Sequence, residues 1–180
     1  MKIKKEIILK DGTKAIFRDP KISDAKQLLN HLYVCASETD FLLAYAPDIK
    51  KRTIESEKDW VRNFNNSDNL LIVVEIDGQI VGLSEVSFMK AHKTCHRGSI
   101  GISVQKKYWN KGLGGYMFDE LISYAKAHGC EQVELGVIEA NDRARHLYEK
   151  KGFEYTGKYP RAIKLDDGTY YDELLMTKML

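Results

Sequence analysis

Apolar residues recur along this chain with two different periods, and the changes of period mark out its elements. Residues 70–76 and 79–89 are apolar or alternating, and Asp77-Gly78 between them is the signature of a tight type I′ hairpin turn. A third strand is expected over 95–104, after a looser loop at 90–94. The period then lengthens: Leu113, Met117, Leu121 and Tyr124 fall three or four residues apart, which predicts a helix ending at Gly129. Val133, Leu135 and Val137 alternate as a strand over 132–138. Ala144, Leu147, Tyr148 and Lys151 share one side of a short helix, with Asn141 as its N-cap and Gly152 as its stop.

The same reading extends to both ends. Lys10-Asp11-Gly12 predicts a hairpin turn, with 14–18 as the first or second short strand, and Pro20 breaks the pattern. Ser23 or Asp24 caps a helix with Ala25, Leu28, Leu29, Leu32 and Cys35 on its buried side. Phe41, Leu42 and Leu43 follow an acidic stretch closed by Pro47, and 54–64 reads as another helix capped at Thr53 or Ser56. The tail holds a strand near 153–159, a turn at Asp166-Asp167-Gly168, and a strand over 172–178. No linker or low-complexity stretch divides the 180 residues, so one domain over 1–180 is expected.

Gly112, Gly114 and Gly115 open the central helix, although each glycine in a helix interior costs roughly 1 kcal/mol against alanine. Glycines are suited to a place where backbone approaches something closely. A strand, a glycine turn and a helix N-terminus together expose unpaired N–H groups at the positive end of a dipole, which makes an anion site. No Lys-Ser/Thr pair follows the glycines, as a nucleotide P-loop requires, and the third glycine of a dinucleotide fingerprint is missing. On this segment alone, a glycine loop without a ligand would look the same.

Composition narrows the setting. Apolar content of 43%, charged content of 30% and a net charge of +2 are those of an ordinary globular protein, with no charge run to suggest nucleic acid or an anionic membrane as partner. The apolar run Ile7-Ile8-Leu9 is too short for a signal peptide, so a cytoplasmic location is expected. Cys35, Cys95 and Cys130 lack C-x-x-C spacing, and the five histidines match no metal motif; neither a disulfide framework nor a metal is expected.

The stretch Asn141-Asp142-Arg143-Ala144-Arg145-His146-Leu147-Tyr148-Glu149-Lys150-Lys151-Gly152-Phe153, following the meander and the glycine turn, resembles the GNAT superfamily of N-acetyltransferases. Glu38 to Leu42 and Asp167 to Met176 are similar to segments of small bacterial members that acetylate amino acids or other small molecules. The resemblance implies an α/β (α+β) fold: a mostly antiparallel mixed sheet of six to seven strands, about four flanking helices, and a splayed strand pair at the acetyl-CoA site. It implies direct attack of an amine on acetyl-CoA in a ternary complex, without an enzyme nucleophile. A small-molecule amine is the expected acceptor; a protein N-terminus or lysine, or a non-catalytic acyl-CoA sensor, are the alternatives. A homodimer is compatible with the family's habits.

By the same resemblance, backbone at Asn110, Lys111, Gly112, Leu113, Gly114 and Gly115 cradles the cofactor phosphates, and Ile102, Ser103 and Val104 polarise the acetyl carbonyl. Asn141 contacts the cofactor, and Tyr148 protonates the leaving sulfur. The loop departs from the family pattern at Trp109, where a Gln or Arg is usual. Lys106, Lys107 or Lys111 offer charge nearby, although each reads first as solvated surface. Glu85, in a strand pattern where burial would raise its pKa, is the first candidate base, with His96 the alternative. Phe41, Leu42, Glu85 and His96 are the expected acceptor contacts.

Overall fold

The computed structural model describes residues 2–180. All eight strands join one sheet: β1 (Lys4–Ile8), β2 (Lys14–Arg18), β3 (Leu70–Ile76), β4 (Gln79–Phe88), β5 (Arg97–Val104), β6 (Gln132–Ile138), β7 (Glu154–Lys164) and β8 (Tyr170–Met179). Their order is β1-β2-β3-β4-β5-β6-β8-β7, and every pair is antiparallel except β5 with β6. Five helices flank it: α1 (Ala25–Glu38), α2 (Ala46–Lys51), α3 (Ile54–Asn65), α4 (Leu113–Ala127) and α5 (Asp142–Lys150).

Alternation along the strands divides the core. Leu70, Ile72 and Val74 of β3 turn to one face, where they pack with Leu113, Met117, Phe118 and Leu121 of α4. Leu71 and Val73 turn to the other face, against Leu28 of α1 and Val61 of α3. Strand period 2 thus gives two apolar faces, each covered by an amphipathic helix.

The fold class agrees with the expectation, with one strand and one helix more. The hairpin turn expected at 10–12 joins β1 to β2, although the mostly exposed side chains of β1 give it no alternation of its own. Pro47 does not end a segment; it sits in the first turn of α2, where its missing N–H costs nothing. Asp24 does not cap α1 with its side chain, since its carboxylate pairs with Arg18 instead. β5 starts at Arg97, two residues later than expected, and β7 runs on to Lys164 through an irregularity between Tyr159 and Ile163.

What positions the site is a gap. β5 and β6 pair only at Arg97–Gln132, Gly98–Val133 and Ser99–Glu134. Beyond these, β5 runs on to Val104 and β6 to Ile138 without pairing to each other, and the sheet opens between them.

Candidate functional site

A cavity of about 410 Å³ passes through this gap. One end is formed by the turn before α4. Asn110 (φ 62) and Gly112 (φ 91) adopt left-handed backbone, which turns the chain sharply into the helix. Among the described residues, none of the N–H groups from Asn110 to Gly115 has an acceptor within the protein, and Gly112 caps α4 without a side-chain bond. A row of free donors at a helix N-terminus facing a cavity fits a phosphate group.

Trp109 takes no part as a polar ligand. Its indole N–H donates to the Val104 carbonyl at 2.7 Å, pinning the turn to the end of β5. The Arg143 guanidinium lies 3.5 Å from the centre of its ring, with no hydrogen bond or ion pair among the described residues. Arg143, from α5, therefore supplies the positive charge that position 109 lacks. Lys111, expected in the cradle, turns its side chain away to Asp11 at 2.8 Å; only its backbone stays in the turn. Lys106 and Lys107 do not line the cavity.

In the middle lie Ile102, Ser103 and Val104, Gly136, Val137 and Ile138, Asn141 and Tyr148. The Asn141 side chain accepts from the Ala144 N–H at 3.2 Å, so capping and a cavity-facing position coexist. Tyr148 is 8% exposed, in edge contact with Phe118. Burial pushes its pKa up to about 12, against an opposing pull from Arg143, so its hydroxyl keeps its proton at neutral pH. His31, fully buried on α1, lies 2.9 Å (Nε2) from Ser103 Oγ and 3.5 Å (Nδ1) from the Gln105 amide. Burial lowers its pKa to about 4, so it is a neutral clamp on β5.

The far end, on the α1 face of the sheet, is lined by Cys35, Glu38, Thr39, Phe41, Leu42 and Leu43, with Glu173 opposite on β8. Phe41 and Leu42 stand where expected. Two expected acceptor contacts do not. His96 precedes β5 at its far end, and its carbonyl accepts from the Glu131 N–H, so it is separated from the gap by the length of the strand. Glu85 does not line the cavity; it stands behind Gly101 on β4, its Oε1 3.4 Å from where a Cβ on that glycine would lie. Burial does raise its pKa, as expected. Arg143, Glu38 and Glu173 were missed as cavity residues. Only the motif position of Arg143 and the Asp172-Glu173 ending could have flagged two of them.

The Acetyltransferase (GNAT) family model matches residues 27–153, more than half of the chain, from within α1 to the residue before β7. The chain belongs to the GNAT acetyltransferase family. An acetyltransferase of Pectobacterium atrosepticum is 31% identical over 108 residues, 59% of this chain and 73% of that protein. The crystal structure of a GNAT-family acetyltransferase from Streptococcus pneumoniae superposes with a TM-score of 0.86 at 29% identity, covering 92% of this chain and 99% of that one. A Salmonella typhimurium structure with its cofactor acetyl-CoA gives 0.79 at 17% identity, covering 92% and 94%. This GNAT protein is accordingly an N-acetyltransferase that draws on acetyl-CoA, and the orphan donors of residues 110–115 are of the kind its phosphates require.

Proposed function

We propose that this protein, acting as one unit over 1–180, transfers an acetyl group from acetyl-CoA to the primary amine of a small molecule in the cytoplasm. The observation that carries the reading is the through-sheet cavity, with a cationic, donor-rich end and a carboxylate-bearing end joined at Tyr148. Backbone N–H groups of Asn110 to Gly115, with Arg143 and Asn141, hold the cofactor's anionic part. Acetyl-CoA, when bound, supplies the acetyl group as a thioester. On the open edge of β5 the backbone N–H groups of Ile102 and Val104 turn toward the carbonyl, while that of Ser103 between them is directed to β4. Tyr148 holds the proton for the departing sulfur. A cleft of this size, closed by Phe41 and Leu42, favours a small amine over a folded protein surface. Three free thiols and no disulfide among the described residues support the cytoplasmic setting.

Tyr148→Phe tests it. Its kcat is expected to fall about 100-fold or more, with CoA affinity by calorimetry within twofold of the original. An unchanged rate would remove Tyr148 from proton transfer, and loss of CoA binding would make it a packing residue.

A further inference from the structure

Two glycines face each other across the opened strands, and a carboxylate leans over each. Continuing the register of Ser99 with Glu134, Gly101 on β5 stands level with Gly136 on β6. Glu85 is cross-strand to Gly101, and Glu173 is cross-strand to Ile138, one step along the same face from Gly136. A Cβ on Gly136 would overlap the Glu173 carboxylate, whose carbon is 2.8 Å from that position. Gly136 is therefore the notch that lets Glu173 reach the gap. Neither Glu85 nor Glu173 has a hydrogen bond or ion pair among the described residues. Its neighbour Asp172 is fully engaged, by Lys158 at 2.6 Å and by the Arg161 N–H at 2.8 Å.

Of the two, Glu173 lines the cavity and Glu85 does not. The charge of the acceptor end has one sign. Glu38 and Glu173 are acidic, and the only basic residue lining the cavity among the described residues, Arg143, is stacked on Trp109 at the other end. Glu38 is tied by Oε2, which accepts from the Lys106 N–H at 2.7 Å, so that carboxylate is anchored to the chain just after β5. Glu173 is the cavity carboxylate with no hydrogen bond or ion pair among the described residues, and it is the one over the gap.

We propose that Glu173 binds the acceptor's ammonium group and takes its proton, and that the acceptor is a cationic amine with no carboxylate beside that nitrogen. This rests on the N-acetyltransferase reading above. An α-carboxylate would enter a site holding free negative charge and no cation, which opposes its binding. The protons balance: the ammonium sheds two as its nitrogen–carbon bond forms and the carbon–sulfur bond breaks. One passes through Glu173 to water; the other replaces the proton that Tyr148 gives to the sulfur.

The first test uses the unmodified protein, so it does not depend on a variant folding. Tyramine and tyrosine, agmatine and arginine, and histamine and histidine differ within each pair only by the α-carboxylate. Their binding to the CoA complex is read by calorimetry, and their acetylation by mass spectrometry. Across the pairs that bind, the decarboxylated member is expected to bind at least about tenfold tighter and to be the one acetylated. Preference for the amino acids overturns the inference while leaving N-acetyltransfer intact. Failure of every amine and of short peptides to take an acetyl group removes that reading, and the inference with it. Separately, Glu173→Gln is expected to lower kcat about 100-fold or more with CoA affinity unchanged, and Gly136→Ala to follow it by displacing the same carboxylate. A Glu173→Gln enzyme at full rate, beside a Glu85→Gln enzyme that has lost it, would move the base to Glu85 and overturn the assignment.

Discussion

Arg143 is an exposed guanidinium stacked on Trp109 with no anionic partner among the described residues, and partial desolvation pulls its pKa down. Stacking on Trp109 holds the guanidinium in place for an anion. Charge-assisted hydrogen bonds contribute about 1.5–3 kcal/mol, so Arg143→Ala should weaken CoA binding by roughly tenfold to a hundredfold, measured by calorimetry. Arg143→Lys should recover only part, because an ammonium does not stack as a plane. His31 makes a second prediction, about stability. Its folded pKa, about 4, lies below the ordinary 6.5, so its contribution is fully present above 6.5 and is lost as pH falls through the window toward 4. The gap corresponds to about 3 kcal/mol at the acid limit. Melting temperatures taken between pH 7.5 and 4.5 should fall more steeply for the original protein than for His31→Gln.

At the scale of elements, the turn into α4 carries the cofactor end, and its conformation decides its chemistry. Gly112 at φ 91 turns the chain into α4 so that the N–H groups from Asn110 to Gly115 keep no acceptor among the described residues, beside a cavity lined by Asn110 and by Gly112 to Gly115. A residue with a Cβ is strained in this region by about 1–3 kcal/mol. Gly112→Ala is expected to lower stability by that order in urea titration, and to weaken CoA binding further by tilting the donors. A loss of stability without any change in CoA affinity would show that the turn only shapes the fold. α5 is legible in the same terms. Asn141 caps it, Gly152 ends it, and the Phe153 N–H bonds back to the Tyr148 carbonyl at 3.0 Å, so the motif that marks the family also fixes the tyrosine's backbone.

Across the whole molecule, the acceptor end is assembled from segments far apart in sequence. The Tyr45 hydroxyl, just before α2, accepts from the Asp166 N–H in the β7–β8 turn at 3.0 Å, so the α1–α2 segment is tied to the last hairpin. Those are the two walls that bring Phe41 and Glu173 to one cavity. Tyr45→Phe removes a hydrogen bond with a net contribution of about 0.5–1.5 kcal/mol. The acceptor KM should rise about threefold to tenfold, with kcat at saturation and CoA affinity nearly unchanged; an effect on CoA affinity instead would mean the strap holds the other end.

Local patterns were enough for much of this protein. Period 2 and period 3.6 located β3, β4, β6, α1, α3 and α4, and the Asp77-Gly78 and Gly152 signals located turns, because these depend on neighbouring residues in the chain. The glycine turn and the 141–153 motif likewise announced an anion cradle beside a tyrosine, since the groups involved lie within a few residues of one another. β1 was announced only by its hairpin turn, because exposure blurs its alternation, and α2 escaped because a proline that opens a helix looks like one that ends a segment. The acceptor end depended wholly on tertiary structure. His96 and Glu85 read as good candidates by residue type, yet strand direction carried one to the wrong end of β5 and pleat and pairing set the other behind Gly101. Glu173 and Arg143 reach the cavity only through a strand crossing and a helix docking that bring together residues some 30 to 130 positions apart. Charge at a site is a sum over space, and the chain alone carries only its order.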